Sequence, residues 1–464
     1  MIPILLLMLA VPAVFMALIA LIKSRPKELA IVSSAIMAAM ALYVLASYLM
    51  GMQFPQESYS YIGSLGISFG LSATPISIIL VLLSSIVILA AALTIGLDSR
   101  RKRIASILTV LFQFASTGLF LSANLFVLFI FWDIGVIAMF FMIYLLGGPN
   151  RRAASMRFLM YEIFASTMLL LGIILLFSML GTADIGALVA LAKSLSLPRQ
   201  LAILVPLLLA FMVNMPVFPF HAWLPDAHTE ASTEGSMMLS GVLTKFGGFG
   251  MLLTFSILPL AIKYSPYIAA LAVISAIYSA FVMLGQTDMK RIVAYSTIVE
   301  MGIILVAIAS GTQAGTAGAV IAMLAHALTV AFMFLIVGML HKTFGERDIR
   351  LLKGAVVEAP ALAYAFILGA LAMVGLPLTT AFAGDVLMFI GIYGTFGIIG
   401  LVPLAAIVLM GAALYFVMQK SLFEANNCST AIDLVGPLPT AAVFILMFFI
   451  LLFGFMPHIV ASIL

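Results

Sequence analysis

Titratable side chains inside long apolar segments are the residues of this sequence best suited to chemistry. They are Asp133, Glu162, Lys245, Glu300, His326 and Asp385. An unpaired charge at the centre of a bilayer is costly, so each of these residues needs a partner or a function. Acids and bases in alternation, linked by water, can pass protons across a membrane. The structural alternative is static pairing that joins helices.

Proton transport and static pairing are not equally favoured at each of these residues. Transport is favoured for three of them: Asp133, Lys245 and Asp385. For Glu300 and His326 the two explanations are balanced, since a buried neutral histidine often only bonds a neighbouring carbonyl or hydroxyl group. Glu162 shares its predicted helix with Arg157 near the cytoplasmic edge, which favours a static role there.

Two of the apolar stretches are interrupted by proline. The stretch 211–245 reads FMVNMPVFPFHAWLPDAHTEASTEGSMMLSGVLTK, with breaks at Pro216 and Pro219 before Lys245. A later stretch is interrupted at GLP, residues 375–377. Broken helices beside an intramembrane charge are typical of transport sites, and two breaks at an odd offset of spans predict an inverted repeat. Ordinary proline kinks relieved by neighbouring helices are the alternative.

The composition identifies an all-α polytopic membrane protein. The chain is 65% hydrophobic and 8% charged over 464 residues, which would leave a soluble domain covered by apolar surface. Its apolar runs are about 20 residues long, the length that crosses a ~30 Å hydrocarbon core. The longest polar-leaning segments between them are 51–73 and 341–359. The sequence predicts 14 transmembrane spans: 2–22, 29–50, 74–97, 104–122, 124–146, 155–179, 199–219, 236–257, 266–284, 292–310, 316–340, 360–392, 398–419 and 437–460.

The distribution of basic residues predicts the orientation of these spans. Most of the 21 Lys and Arg residues follow odd-numbered spans. Because cytoplasmic loops carry the excess of positive charge, both termini are expected on the outer side. The basic residues beside the first span come after it, which predicts a retained span rather than a cleaved signal. Four parts are predicted: 1–103 with spans 1–3, 104–257 and 258–420 as inverted five-helix repeats with broken helices 7 and 12, and 421–464 with span 14.

Several classes of function are excluded by what the sequence lacks. The single cysteine, Cys428, cannot form an internal disulfide or hold an iron–sulfur cluster by itself. The chain has no P-loop motif and no dinucleotide fingerprint, and its net charge of +4 follows the loops, so no nucleotide or nucleic acid is expected as a partner. His221 and His228 lie near acidic residues, but no zinc-type helix motif is present. No catalytic residue, metal or cofactor is predicted in this chain.

Four motifs resemble those of a known family. They are PFHAWLPDAHTEAST (219–233), QTDMKRIVAYSTIVEMG (286–302), HAL…FMFL…G (326–338) and GLPLTTAFAGD (375–385). These motifs resemble the antiporter-like, proton-translocating subunits of respiratory complex I. The same family includes the large subunits of Mrp antiporters and of membrane-bound hydrogenase-type complexes. The resemblance runs from about span 4 to span 13, and an acid at position 385 makes the chain more similar to the M type.

The resemblance implies a proton path and two departures from it. Asp133 takes the place of the family's glutamate in span 5, and Lys245 that of the lysine in span 8. His326 matches a histidine of span 11, and Asp385 matches the titratable residue of span 12. The departures are two positions where the family has lysine: Asn214 and Val330. The loss of the lysine at position 214 removes the usual partner of the acid in span 5.

Two functional hypotheses follow from the resemblance. The first is an antiporter-like subunit of a complex-I-related assembly in a prokaryotic plasma membrane, which couples redox chemistry in other subunits to H⁺ or Na⁺/H⁺ translocation. Its predicted path consists of Asp133, Lys245, Glu300, His326 and Asp385. The second is a non-conducting structural or coupling subunit, with a Mrp-type antiporter subunit as a further alternative. Both imply membrane partners, including a further antiporter-like subunit, within a lipid bilayer.

Overall fold

A computed structural model describes residues 3–53, 56–62, 67–98, 101–424 and 436–464. Cys428 and Arg100 lie outside the described residues. The described chain is almost entirely helical, with one short β-hairpin of β1 (Glu57–Ile62) and β2 (Ile67–Leu71). The hairpin lies in the polar-leaning segment 51–73, between the second and third predicted spans. The Glu57 carboxylate accepts the backbone N–H groups of Leu5 and Leu6 at 3.2 and 3.1 Å, so β1 caps the first helix.

Within the described residues, 14 helices are long and apolar enough to cross a membrane, which confirms the predicted number of spans. They are α1 Ile4–Leu21, α2 Pro26–Leu49, α3 Pro75–Thr94, α4 Lys102–Leu121, α5 Leu125–Leu146, α6 Arg151–Leu180, α7a Leu197–Asn214, α8 Thr233–Ile257, α9 Ala261–Leu284, α10 Met289–Ala309, α11 Gln313–Phe344, α12b Thr380–Leu401, α13 Leu404–Phe423 and α14 Pro437–Phe455. Two shorter helices complete the broken spans: α7b Trp223–Glu230 and α12a Pro360–Met373. The chain is a multi-pass helical membrane protein.

Polar side chains set the helix ends. The Thr312 side chain accepts the N–H of Gly315 at the start of α11, and the Asp288 carboxylate accepts the N–H of Lys290 at the start of α10. Such caps satisfy backbone donors that have no partner inside the helix. α6 ends at Gly181, whose positive φ of 72° suits glycine. At these three helix ends, polar residues or glycine bound the apolar segments.

Both proline-containing stretches interrupt their helices. α7a ends at Asn214, and the chain resumes as α7b at Trp223 after an irregular stretch that contains a cis Phe218–Pro219 bond. The Trp223 indole donates to the Val213 carbonyl at 3.0 Å, which satisfies a backbone group freed by the break. α12a ends at Met373, and α12b begins at Thr380.

The most buried helices are those that carry the central titratable residues. The apolar window of α11 is 100% buried and that of α10 is 94% buried, whereas that of α14 is 28% buried. α11 packs against α10, α12b and α14, and α8 packs against α7a. α4 also packs on α5 and α6 on α7a, in the same order as α9 on α10 and α11 on α12b. The inverted repeat of 104–257 and 258–420 remains a prediction, with which this packing order agrees.

Candidate ion path

Lys245 lies at the centre of the bundle, directly after a change in helix geometry. The stretch Leu239–Leu243 of α8 is a π-helix, a form that recurs at functional sites. The Ser240 carbonyl accepts two side-chain donors, Thr244 Oγ1 at 2.8 Å and Lys245 Nζ at 2.6 Å. Lys245 is fully buried, so its amino group depends on these protein contacts rather than on bulk water.

The amino group of Lys245 contacts a second titratable group. Its Nζ lies 2.5 Å from Nδ1 of His326 on α11 and 3.2 Å from Thr244 Oγ1. Together with the Ser240 carbonyl these acceptors match the three donors of an ammonium group. When Lys245 is charged it donates to Nδ1, and the His326 ring proton then lies on Nε2, which is buried and has no partner among the described residues. One proton can therefore pass from Lys245 to His326 over a single hydrogen bond.

Glu300 of α10 and Asp385 of α12b face the same small cavity. The cavity has a volume of about 20 Å³, roughly the space of one water molecule. Ala322 and Ala325 of α11, in the turn before His326, also line it. Glu300 Oε1 is buried without a hydrogen-bond partner in the described chain. The cavity therefore brings two carboxyl groups to the side of α11 that is close to His326.

Asp385 lies against the break in its own span. A Cβ atom added to Gly375 would lie 2.5 Å from Asp385 Oδ2. Gly375 also has a positive φ of 77°, a conformation that side chains rarely adopt. Glycine at this position thus leaves room for the carboxyl group between the two halves of the span.

Asp133 lies at the periphery of the bundle. Its carboxylate is half-buried and accepts a hydrogen bond from the Ser166 hydroxyl of α6. Ile130 and Ile137, on the same face of α5, are 41% and 48% exposed. The described side chains form no hydrogen bond between Asp133 and either Asn214 or Lys245. Asp133 is therefore connected to the centre of the bundle only through other residues.

The two positions that lack lysine differ in polarity. Val330 is fully buried in α11, one turn after His326, and brings no polar group there. Asn214 is also fully buried, and its Nδ2 lies 3.3 Å from both carboxylate oxygens of Glu162. Glu162 is itself fully buried in α6, which begins at Arg151 and not at the predicted residue 155. Glu162 therefore lies about three turns into α6 rather than about two.

The region of the sequence that contains this path identifies the family of the chain. Residues 122–414 match the family described as NADH:quinone oxidoreductase/Mrp antiporter, TM. The chain belongs to this family. The antiporter-like chain is also 36% identical over 343 residues to NADH-quinone oxidoreductase subunit M of Rickettsia felis, an alignment that covers 73% of this chain and 69% of the relative.

Solved structures show that the antiporter-like chain shares the fold of subunits of large membrane complexes. A chain of respiratory complex I from Thermus thermophilus with bound NADH aligns with a TM-score of 0.90 at 23% identity, over 99% of this chain and 98% of that one. A chain of an archaeal membrane-bound sulfane sulfur reductase aligns with a TM-score of 0.89 at 24% identity, over 98% of this chain and 76% of that one. The resemblance drawn from the four motifs is confirmed.

His228 extends the polar contacts of the antiporter-like chain beyond the predicted residues. Its Nε2 lies 2.7 Å from the Ser240 hydroxyl, which lies 3.0 Å from Thr297 Oγ1 of α10. The His228 ring stacks on Phe334 with centroids 4.4 Å apart. His228 thus contacts the residue whose carbonyl binds Lys245. The PDAH sequence, which lies within α7b, was the signal for this position. Among the described residues, no group of three or more His, Cys, Asp or Glu side chains is placed to hold a metal ion.

The first turn of α8 contains a further buried acid. Glu234 is fully buried, and neither of its carboxylate oxygens has a hydrogen-bond partner among the described residues. Nearby, Lys290 Nζ donates to the Ala231 carbonyl at 2.7 Å, and Asp98 accepts the N–H of Thr233 at 2.5 Å. This cluster lies at the N-terminal end of α8, about three turns before Lys245. The signal for Glu234 in the sequence was its charge within TEASTEG, residues 229–235.

Asp226 joins the two predicted repeats at one end of the bundle. Its carboxylate pairs with Arg157 of α6 and, at 3.0 Å, with Arg291 of α10. We expect Asp226→Asn to lower the stability of the purified assembly by about 1 kcal/mol, since half-exposed ion pairs contribute little each. Thermal unfolding at low and high salt measures the loss, which salt should reduce.

The matched control for this prediction is Asp348→Asn. Asp348 pairs with Arg350, only two residues away at 2.5 Å, and so joins no separate elements. An equal loss of stability in both variants would show that Asp226 does not act as a bridge between α6 and α10.

Proposed function

We propose that this chain translocates protons as one antiporter-like subunit of a multi-subunit, complex-I-related assembly in a prokaryotic plasma membrane. The observation that carries the proposal is the buried contact of Lys245 Nζ with His326 Nδ1 at 2.5 Å. A lysine and a histidine in direct contact can exchange a proton without either group reaching water. Redox chemistry belongs to other subunits, and the energy it releases drives the translocation.

The path proposed through this subunit has three stages. Asp133 receives or releases the proton at the α5 side. Lys245 and His326 hold it at the centre, where three acceptors stabilise the ammonium form. Glu300 and Asp385 then take it up at the cavity between α10 and α12b. Each transfer moves one proton and returns the donor to its previous form.

The surroundings of the two acids at the ends of this path support the proposal that other membrane subunits cover both sides of the chain. Asp133 and Asp385 are only half-buried, and each shares its helix face with an exposed apolar residue, Ile137 and Phe382 respectively. A carboxyl group open to hydrocarbon is costly. Other membrane subunits, including a further antiporter-like subunit, would cover these faces and continue the path. The excess of Lys and Arg after odd-numbered spans supports an outer position for both termini.

The proposal is tested at His326. Replacing it with phenylalanine keeps the ring volume but removes both nitrogens, so we expect His326→Phe to lose most of the proton pumping of the assembled complex, on the order of the 100-fold effect of a lost proton-transfer group. The measurement is proton uptake into vesicles during turnover. His341→Phe, at the far end of the same helix, is the matched control and should pump normally.

A non-conducting coupling subunit is the second candidate, and Val330 is the observation that favours it. This buried residue supplies no charge where the family has a lysine. If His326→Phe pumps as well as the control, this second function replaces the first. Dependence of pumping on Na⁺ would instead assign a Na⁺/H⁺ exchange, for which the paired carboxyls Glu300 and Asp385 offer oxygen ligands.

A further inference from the structure

Glu162 occupies a position that the proposed path does not use. It lies about three turns into α6, a helix of 30 residues. The residue is fully buried. Among the described residues, no Lys, Arg or His side chain donates to its carboxyl group, whose partner is the Asn214 amide. A buried carboxyl group without a cation is costly in its charged form, so this site favours bound H⁺.

The amide of Asn214 has one fixed orientation. Its Oδ1 accepts the backbone N–H of Gly247 at 2.9 Å, so Nδ2 must face Glu162. Gly247 permits this approach, since an added Cβ would lie 2.8 Å from both the Phe211 carbonyl and the Met215 nitrogen. The carboxyl group therefore meets N–H donors and no amide oxygen. A metal cation prefers several oxygen ligands, which this site does not offer. The Asn214 N–H₂ group favours the charged carboxylate, but burial without a cation disfavours that charge and so favours a bound proton.

Contacts connect Glu162 to both neighbouring parts of the path. Ser166 lies one turn after Glu162 on the same face of α6, and its hydroxyl donates to Asp133. On the other side, Asn214 bonds Gly247, two residues after Lys245 on α8. Glu162 thus lies between the peripheral acid and the central lysine. The amide has no titratable proton, so Asn214 positions the carboxyl group and does not carry the charge itself.

We propose that Glu162 is a proton-binding residue that links Asp133 to Lys245 and takes over the role of the lysine absent at position 214. A proton leaves the Asp133 carboxyl group, passes the Ser166 hydroxyl and neutralises the Glu162 carboxylate, which leaves Asp133 charged. The ion that moves on this side of the subunit is H⁺ and not Na⁺. The inference rests on the proposed function and adds the group that completes its first stage.

Glu162→Gln in the assembled complex tests this role. Glutamine keeps an oxygen that accepts from Asn214, so the variant should assemble, but it binds no proton. We expect its pumping to fall to the level of Lys245→Ala, while Glu346→Gln, at an exposed loop residue, pumps normally. Ser166→Ala, which breaks the link to Asp133, should lose at least about half of the pumping. Pumping by the wild type should not change when Na⁺ is replaced by choline.

Infrared difference spectroscopy provides a readout that a purely structural role would not move. The wild type should show the carbonyl stretch of a protonated carboxyl group that is absent from Glu162→Gln and present in Glu346→Gln. Normal pumping in Glu162→Gln together with lost pumping in Lys245→Ala overturns this inference and leaves the proposed function standing. Normal pumping in both variants overturns both. Loss of the carboxyl band on addition of Na⁺ overturns the assignment to H⁺.

Discussion

Replacing Lys245 with alanine is expected to abolish the proton translocation that passes through this chain while its helices remain assembled. The substitution removes the donor shared by the Ser240 carbonyl, Thr244 Oγ1 and His326 Nδ1. An unpartnered buried polar group costs about 1–3 kcal/mol, so some stability is also lost. Removal of a proton-transfer group lowers its step by roughly 10²–10⁴-fold. Proton uptake into vesicles that contain the assembled complex measures the effect.

Two further variants separate a proton carrier from a fixed charge. Lys263→Ala removes an exposed lysine of α9 and should leave pumping unchanged. Lys245→Arg keeps a positive charge, but a guanidinium group does not release its proton at neutral pH. If Lys245 carries protons, arginine should fail as alanine does. Restored pumping in Lys245→Arg would show that only the charge matters, and normal pumping in Lys245→Ala would exclude Lys245 from the path.

Hydropathy alone was sufficient to predict the spans of this protein. Apolar length determines which segments can cross a bilayer, so the predicted 104–122 and 124–146 agree closely with α4 and α5. Sequence motifs then predicted His326 and Asp385, which lie inside motifs of the family, whereas Lys245 was marked by its charge within an apolar stretch. Boundaries were less accurate where polar residues begin a helix, as at Arg151 of α6. Side chains such as arginine can extend to the membrane surface and lengthen the helix.

The contacts between helices could not be predicted from one sequence. Glu162 and Asn214 are far apart in the chain, and their pairing depends on how α6 packs against α7a. The π-helix before Lys245 has no clear signature in its residues, since it arises from how the whole helix is packed. Asp133 has a serine as its hydrogen-bond partner, where the resemblance implies a lysine. Tertiary packing, rather than composition, decides which buried groups meet.

Replacing Gly318 with valine is expected to separate α11 from α12b and to prevent stable assembly. A Cβ at Gly318 would lie 2.4 Å from the backbone nitrogen of Met388 and 2.8 Å from the carbonyl carbon of Leu387. Backbone atoms cannot turn away as a side chain can, so the cost should reach or exceed the roughly 1–3 kcal/mol of ordinary overpacking. The displacement would also move Asp385 from its cavity beside Glu300.

Gly394→Val is the matched control on α12b for this packing argument. A Cβ at Gly394 meets no heavy atom within 4 Å, and the residue is exposed, so the same side chain should be tolerated there. The yield and thermal stability of the purified assembly measure both variants. Small residues allow close approach of helices in a membrane, where packing takes over from the hydrophobic effect. If the Gly318→Val assembly is as stable as the Gly394→Val assembly, α11 and α12b can separate without loss of stability. Proton pumping by Gly318→Val would then show whether Asp385 must lie beside α11.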